Sequence, residues 1–399
     1  MQQRQEFILA YLKRDRSFSA LCRSFGVARK TGYKWLGRFM AGGLVGLADQ
    51  SRARDTMVHR TPAAIEQLIV QMRRQQRTWG PKKIVRRLHE DHPSLPVPAV
   101  STAASILKKH GLVVPASRRR RSRSGASLPL RTVDGPNATW GADFKGQFWL
   151  GDGVLCYPAT ITDLYSRKLL RCRALTSTRR IPMVRVVDSA FREFGLPNAL
   201  RTDNGPPFRP AMGSLRLSRF AVFLLELGVS PEFIAPGKPQ QNGSHERMHR
   251  TLKAEAVTPP AKNLREQQAR FDRFVREFNT ERPHEALAFR TPESLYIPST
   301  RAYPKHVELP YASHLHVRRV YDGGTIQWGH TLYSIATSLA GKRVALEYIC
   351  EGLARVQFHW KVLGIIDEEE RIFIPNVDWH SPESDIESCH PCAQTTDDE

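Results

Sequence analysis

The chain has 399 residues, 41% of them hydrophobic, and a net charge of +21. That leaves room for several domains with real cores, and no apolar run approaches the ~18 residues of a membrane-spanning helix. The first residues, MQQRQEFILAYLKRDR, are charged and lack a signal-peptide core, so a cytoplasmic protein with no membrane partner is expected. The six cysteines are scattered, which points to reduced thiols rather than a disulfide framework, and Cys389 and Cys392 form a single CxxC without a second pair.

The positive charge is concentrated at one end. Residues 1–133 hold 27 Lys and Arg against 7 Asp and Glu, whereas the remaining 266 hold 33 against 32. Such an arm suits a polyanion, and double-stranded DNA is the expected partner because its phosphates release counterions to Lys and Arg. Within residues 1–50, SFSALCRSFGVARKTGYKWLGRF has helix-turn-helix spacing. Ser17 or Ser19 caps a first helix carrying Ala20, Leu21 and Phe25; Gly26 breaks it, and a second helix starts near Arg29. Tyr33 and Leu36 are expected to face inward, and Arg29, Lys30 and Lys34 to face DNA; an ordinary helical hairpin is the alternative. Gly32 inside that helix costs about 1 kcal/mol relative to Ala.

Residues 60–114 read as three short helices, either a second helix-turn-helix-like domain or a helical spacer. Residues 115–133, rich in Arg, Ser, Gly and Pro, cannot build a core and read as a basic disordered linker, with Arg118, Arg119, Arg120 and Arg121 following the DNA backbone.

The pattern then becomes α/β. ATWGADFKGQFWL reads as a strand with Asp143 in its middle, and two further extended segments meet at a turn near 163–167. Helices follow at 178–194 and 215–227, strands at 198–202 and 230–234, and a last helix starts near Asn242 or Ser244. This β-β-β-α-β-α-β-α order is that of a ribonuclease-H-like sheet with helices on both faces, expected over 134–298. Three acids stand out. Asp143 lies within a strand, where a charge needs compensation; Asp203 ends another on the turn RTDNGPPF; Glu246 occupies a helix first turn, where the dipole favours it. Converging, they suit Mg²⁺ or Mn²⁺. Singly, other roles stay open: Asp143 could pair with Lys145 or Arg171, Asp203 could cap a surface turn, and Glu246 could cap its helix.

WGADF, TDNGPPF, PGKPQQNGSHERMHRTLK and FNTERPHEALAFRTPESLY, between roughly 136 and 296, resemble the integrase-type core of bacterial insertion-sequence transposases, in the DDE superfamily that includes retroviral integrases. The resemblance implies that Asp143, Asp203 and Glu246 are the catalytic and metal-binding triad, holding two Mg²⁺ or Mn²⁺ ions about 3.5–4 Å apart. It further implies 3′-end cleavage and strand transfer on element ends and target DNA, by a homo-oligomer in a bacterial cytoplasm, associated with the nucleoid. A catalytically silent DNA-binding regulator is the alternative. One departure is the 42 residues between Asp203 and Glu246, more than the resembled proteins usually have. On the Glu246 helix, His249, Arg250 and Lys253 are expected to share its face and touch phosphates, and Asn204 to hydrogen-bond behind the metal ligands.

From about His314, alternating segments with a hairpin turn at Asp322-Gly323-Gly324 suggest a small β-barrel over 310–378, for DNA binding or assembly. Residues 382–399 read as a disordered acidic tail. The whole is therefore expected to be multidomain: N-terminal all-α helix-turn-helix modules, a central α/β ribonuclease-H-like core and a C-terminal barrel.

Overall fold

The computed structural model describes residues 2–49, 61–113, 132–208, 215, 217–234, 243–308 and 310–376. Arg118, Arg119, Arg120 and Arg121, Cys389 and Cys392, and the tail from 382 lie outside the described residues. The chain divides into two compact units, one ending at Pro62 and the other beginning at Ala63.

The first unit contains α1 (Gln2–Leu12), α2 (Phe18–Ser24) and α3 (Arg29–Gly42). Ser17 caps α2 by accepting a hydrogen bond from the Ala20 amide at 3.3 Å. The core is built around Phe7, Ile8, Leu21, Cys22, Trp35 and Leu47. Tyr33 was expected inside, but it is exposed and stacks on Phe18, while Gly32 and Trp35 take the inward positions. A Cβ at Gly32 would stand 2.7 Å from Cys22 Sγ, so the absent side chain is what lets α3 cross α2 closely. This close packing offsets the low helix propensity of glycine. Arg29, Lys30 and Lys34 are exposed along the start of α3.

The second unit opens with α4 (Ala63–Gln75), α5 (Pro81–Asp91) and α6 (Val100–Lys109), packed around Ile65, Ile69, Trp79, Ile84, Leu88 and Leu107. The catalytic-core candidate follows with strands β1 (Thr139–Phe144), β2 (Phe148–Trp149), β3 (Leu155–Asp163), β4 (Leu169–Leu175), β5 (Ala199–Thr202) and β6 (Ser230–Phe233). The segment expected as one first strand is split into β1 and β2, because Gly146 turns the chain at φ +54°. β3 pairs antiparallel with β1, β2 and β4, whereas β1, β5 and β6 run parallel. The helices are α7 (Arg180–Phe194), α8 (Arg219–Glu226), α9 (Gly243–Leu252) and α10 (Leu264–Thr280).

The sheet is covered on both faces, as the expected ribonuclease-H-like layering requires. On one face Trp140, Ala142, Ala159 and Ile161 meet Val187, Phe191, Phe220 and Leu224 of α7 and α8. On the other, Cys156, Leu169 and Cys172 meet Met248 and Leu252 of α9 and Phe271, Phe274 and Phe278 of α10. Thr78 joins the helical module to the core. It donates to Glu255 Oε1, and Arg282 Nη1 reaches both groups, at 2.9 Å and 2.8 Å.

The C-terminal strands are β7 (His316–Arg319), β8 (Thr325–Trp328), β9 (Thr331–Ser334), β10 (Arg343–Cys350), β11 (Leu353–Phe358), β12 (Lys361–Asp367) and β13 (Ile372–Pro375). They do not form the expected closed barrel. β13-β12-β11-β10-β7 make one antiparallel sheet and β8-β9 a separate two-stranded ribbon. The Asp322–Gly324 turn does form, with the Gly324 amide donating to the Tyr321 carbonyl at 2.8 Å. Its flanking strands nevertheless separate, because β7 pairs with β10 and β8 with β9.

Phe274, 2% exposed, is a central contact between α10 and the α9 side of the sheet. Phe274→Ala should lower stability by about 3–5 kcal/mol, read from the shift of the guanidinium chloride unfolding midpoint. A loss below about 1 kcal/mol would show that α10 does not hold this layer.

Candidate active site

Side chains alternate along β1. Trp140 and Ala142 enter the α7–α8 core, and Gly141 and Asp143 therefore face α9. Across the antiparallel pair, Gly141 stands opposite Thr162 and Asp143 opposite Thr160. Those threonines share the α9 face, and α9 places His245 and His249, four residues apart, over them. His245 Nε2 lies 2.7 Å from Thr160 Oγ1 and its Nδ1 3.2 Å from Thr162 Oγ1. His249 Nε2 lies 2.8 Å from the same Thr160 oxygen, and its Nδ1 faces Asp143 Oδ2 at 3.9 Å. Burial drives both rings to the neutral form, His245 to a pKa of about 3 and His249 to about 2, with the charge of Lys145 opposing protonation of His249 as well.

Asp203 follows β5 directly. β5 runs beside β1 with Thr139 opposite Ala199 and Gly141 opposite Arg201. β5 ends at Thr202, so Asp203 lies one residue past the strand that pairs with β1. Burial pushes the Asp203 carboxyl above its ordinary range, opposed by the Gly205 amide, which donates to Oδ1 at 3.0 Å. Asn204 donates to the Ile234 carbonyl at 2.6 Å, tying the Asp203 turn to the end of β6. One step below, Arg201 and Glu232 form a buried ion pair at 3.1 Å across β5 and β6.

The three acids are not gathered equally. Among the described residues, the group of potential ligands whose atoms all lie within 4.8 Å of one another is Asp143, His245 and His249. Asp203 and Glu246 are outside that group. Glu246 is exposed in the first turn of α9. Arg250 and Lys253 are exposed with it, but His249 is not. Its expected place on the phosphate-facing side is corrected: the ring is buried against the sheet, where Thr160 takes its Nε2. The pairing of Asp143 with Arg171 does not form, since Arg171 turns to Ser189 and Glu193 of α7. Asp163, also buried, is a turn anchor: it accepts from the Asn137 and Ser166 amides and the Ser166 hydroxyl.

The donor set suits a divalent cation. It has the Asp143 carboxylate with a neutral imidazole facing it, and a partly desolvated second carboxylate, Asp203, just past the neighbouring strand. Sequence reasoning missed His245, Thr160 and Thr162. The signal available was the i, i+4 histidine pair in HERMH, together with alternating threonines on a strand otherwise apolar.

A cleft of about 410 Å³ beside α9 shares Thr162 and His245 with this network and is lined by Lys83, Arg167, Arg247, Arg250 and Arg282 together with Asp163 and Glu285. Burial and the nearby Arg282 charge bring Lys83 down to about 8. This concentration of cations can bind phosphates.

Residues 133–239 and 227–292 each match a family described as integrase core domain. Residues 3–55 match a helix-turn-helix domain and 31–107 a homeodomain-like domain. The chain is 28% identical over 191 residues to an uncharacterized 31.7 kDa protein of insertion element IS407 from Burkholderia multivorans, covering 47% of this chain and 65% of that protein, just under two thirds of its length. It is 24% identical over 266 residues to an uncharacterized 39.2 kDa protein of insertion element IS476 from Xanthomonas euvesicatoria, covering 65% of this chain and 73% of that protein. Among solved structures, the catalytic core domain of HTLV-2 integrase in complex with magnesium covers 41% of this chain and 99% of its own, at 14% identity and a TM-score of 0.30.

Asp203 is costlier to charge than an exposed carboxylate, because burial desolvates it. Its contribution to stability is therefore greatest below the ordinary carboxylate pKa and is lost as pH rises through the raised folded value. Asp203→Asn stays neutral throughout. It should unfold about 2 °C above the parent at neutral pH without added metal, with the difference vanishing near pH 3, followed by circular dichroism. A variant less stable than the parent at neutral pH would contradict the desolvation of this carboxylate.

Proposed function

From a chain that carries an integrase core domain behind helix-turn-helix domains, we propose a transposase that binds the ends of its element, cleaves a 3′ end and joins it to target DNA. What supports this reading is the parallel pairing of β1 and β5, which puts the strand bearing Asp143 beside the strand that Asp203 follows. Asp143, Asp203 and Glu246 are the proposed metal-holding carboxylates. Bound Mg²⁺ or Mn²⁺ would supply Lewis-acid charge for the attacking and departing oxygens of phosphoryl transfer.

The protein's own residues position the reacting groups. Thr160 Oγ1 holds the Asp143 backbone carbonyl at 3.1 Å, and Asn204 fixes the Asp203 turn. Arg250 and Lys253, exposed beside Glu246, and the cations of the neighbouring cleft hold the DNA backbone near the scissile phosphate. Arg29, Lys30 and Lys34 on α3 read or grip the element end, and the linker arginines 118–121 add phosphate contacts. In the first step water attacks the phosphodiester and a 3′-hydroxyl leaves. In the second that hydroxyl attacks a target phosphodiester, a new P–O3′ bond forms as the target P–O3′ bond breaks, and the proton it gives up to solvent is matched by one taken up by the displaced target 3′-oxygen. No side chain is bonded to DNA in either step. A homo-oligomer brings two ends together on the target.

The test is incubation of the full chain with terminal-repeat DNA of its element and Mg²⁺, followed by separation of nicked and joined products. Both products are expected. Glu246→Gln should reduce them on the order of 10³-fold while end binding stays within about twofold. A parent that binds ends and never cuts them would establish the silent-regulator reading instead.

End binding should also weaken in proportion to a power of salt concentration. Arg250→Ala should lower the slope of log affinity against log salt by about 1. An unchanged slope would remove Arg250 from the phosphate contacts.

A further inference from the structure

The hydrogen-bond network beneath α9 fixes which ring nitrogen of His249 carries a proton. Thr160 Oγ1 lies within hydrogen-bond distance of three groups: the Asp143 carbonyl at 3.1 Å, His245 Nε2 at 2.7 Å and His249 Nε2 at 2.8 Å. A hydroxyl has one proton and two lone pairs, and a carbonyl can only accept. Thr160 therefore donates to Asp143, and both Nε2 atoms donate to Thr160. With its single proton on Nε2, each neutral ring keeps a lone pair on Nδ1. For His245 that lone pair accepts from the Thr162 hydroxyl at 3.2 Å, which completes its bonding. For His249 it points at another acceptor, the Asp143 carboxylate oxygen, at 3.9 Å.

A cation placed between two facing acceptors is attracted by both. A gap of 3.9 Å is too long for a direct hydrogen bond. It falls within the ~4.2 Å that a divalent ion bonded to each at about 2.1 Å can span. We propose that His249, through Nδ1, is a nitrogen ligand of the divalent ion that Asp143 binds, and that His245 is not a ligand but a buried prop orienting Thr160. This rests on the metal-binding reading of the Asp143 site and adds a donor to it. A mixed nitrogen and oxygen donor set binds a first-row transition ion in preference to Mg²⁺, so the site should favour Mn²⁺.

The probe is Mn²⁺ alone, added to the full chain without DNA and read by electron spin-echo modulation. The parent should show a directly coordinated ¹⁴N coupling, which changes to the spin-½ pattern when histidine is labelled with ¹⁵N, a reading that needs no variant. His249→Gln, checked for a parental circular dichroism spectrum, should lose the coupling and bind Mn²⁺ about tenfold more weakly, with a smaller loss for Mg²⁺. His245→Gln should keep the coupling. Mn²⁺ that binds through Asp143, as judged by its loss in Asp143→Asn, yet shows no nitrogen coupling would overturn the assignment of His249 and leave the proposed DNA chemistry standing. A coupling that survives His249→Gln and disappears in His245→Gln would overturn it in favour of the other ring. A parent that binds no Mn²⁺ would overturn both the ligand and the metal site beneath it.

Discussion

The seating of α9 on the Asp143 face depends on a missing side chain in β1. A Cβ at Gly141 would stand 3.0 Å from His245 Nδ1 and 3.3 Å from Thr162 Oγ1, so a larger residue would press on the imidazole and force it or its neighbours to shift by a few tenths of an ångström. With glycine there, the imidazole of His245 fills the space and reaches two threonines of β3. The helix that carries Glu246 is thus positioned by a polar contact at its first turn and by apolar ones, Met248 and Leu252, further along. Polar groups buried this deeply stabilise only when satisfied, and every heteroatom of His245 and its two threonines has a partner at 3.2 Å or less. The network thereby selects one height and one rotation for α9.

Much of the core was legible because its signals are local. Apolar runs bounded by Gly and Pro gave the strands and helices, and RTDNGPPF announced a strand end bearing a carboxylate. The Ser17 cap and the Phe271–Phe274–Phe278 stripe were likewise contained in short windows. What failed was non-local. Helical spacing puts residues three and four apart on one face, so His249 and Arg250 looked equivalent beside Glu246. The sheet underneath separates them, drawing positions 245, 249 and 252 inward and leaving 246, 250 and 253 outside. At the C-terminus the alternation announced strands but not their partners. The tight turn at Gly324 was real and yet joined two sheets instead of two paired strands.

Charge is distributed in layers that match these structural ones. Arg29, Lys30 and Lys34 on α3, and Arg247 and Arg250 on α9, are exposed, whereas the charges nearest the candidate centre are few and partly desolvated. A half-buried aspartate at a strand end is unfavourable in isolation and becomes less so when a cation neutralises it. The half-buried Asp203 therefore makes the free core less stable than it could be, and under the proposed metal-binding reading the ion would relieve that cost.

The Arg201–Glu232 pair has a consequence for how this sequence can change. The two residues face each other across β5 and β6, both under 10% exposed, immediately beneath the Asp203 turn. Losing one partner leaves the other charge less well compensated in a desolvated place, whereas exchanging both for apolar groups of similar bulk is often close to neutral. Positions 201 and 232 should thus drift as a couple: related chains would carry either both charges or neither, and intermediates with a single one would be rare.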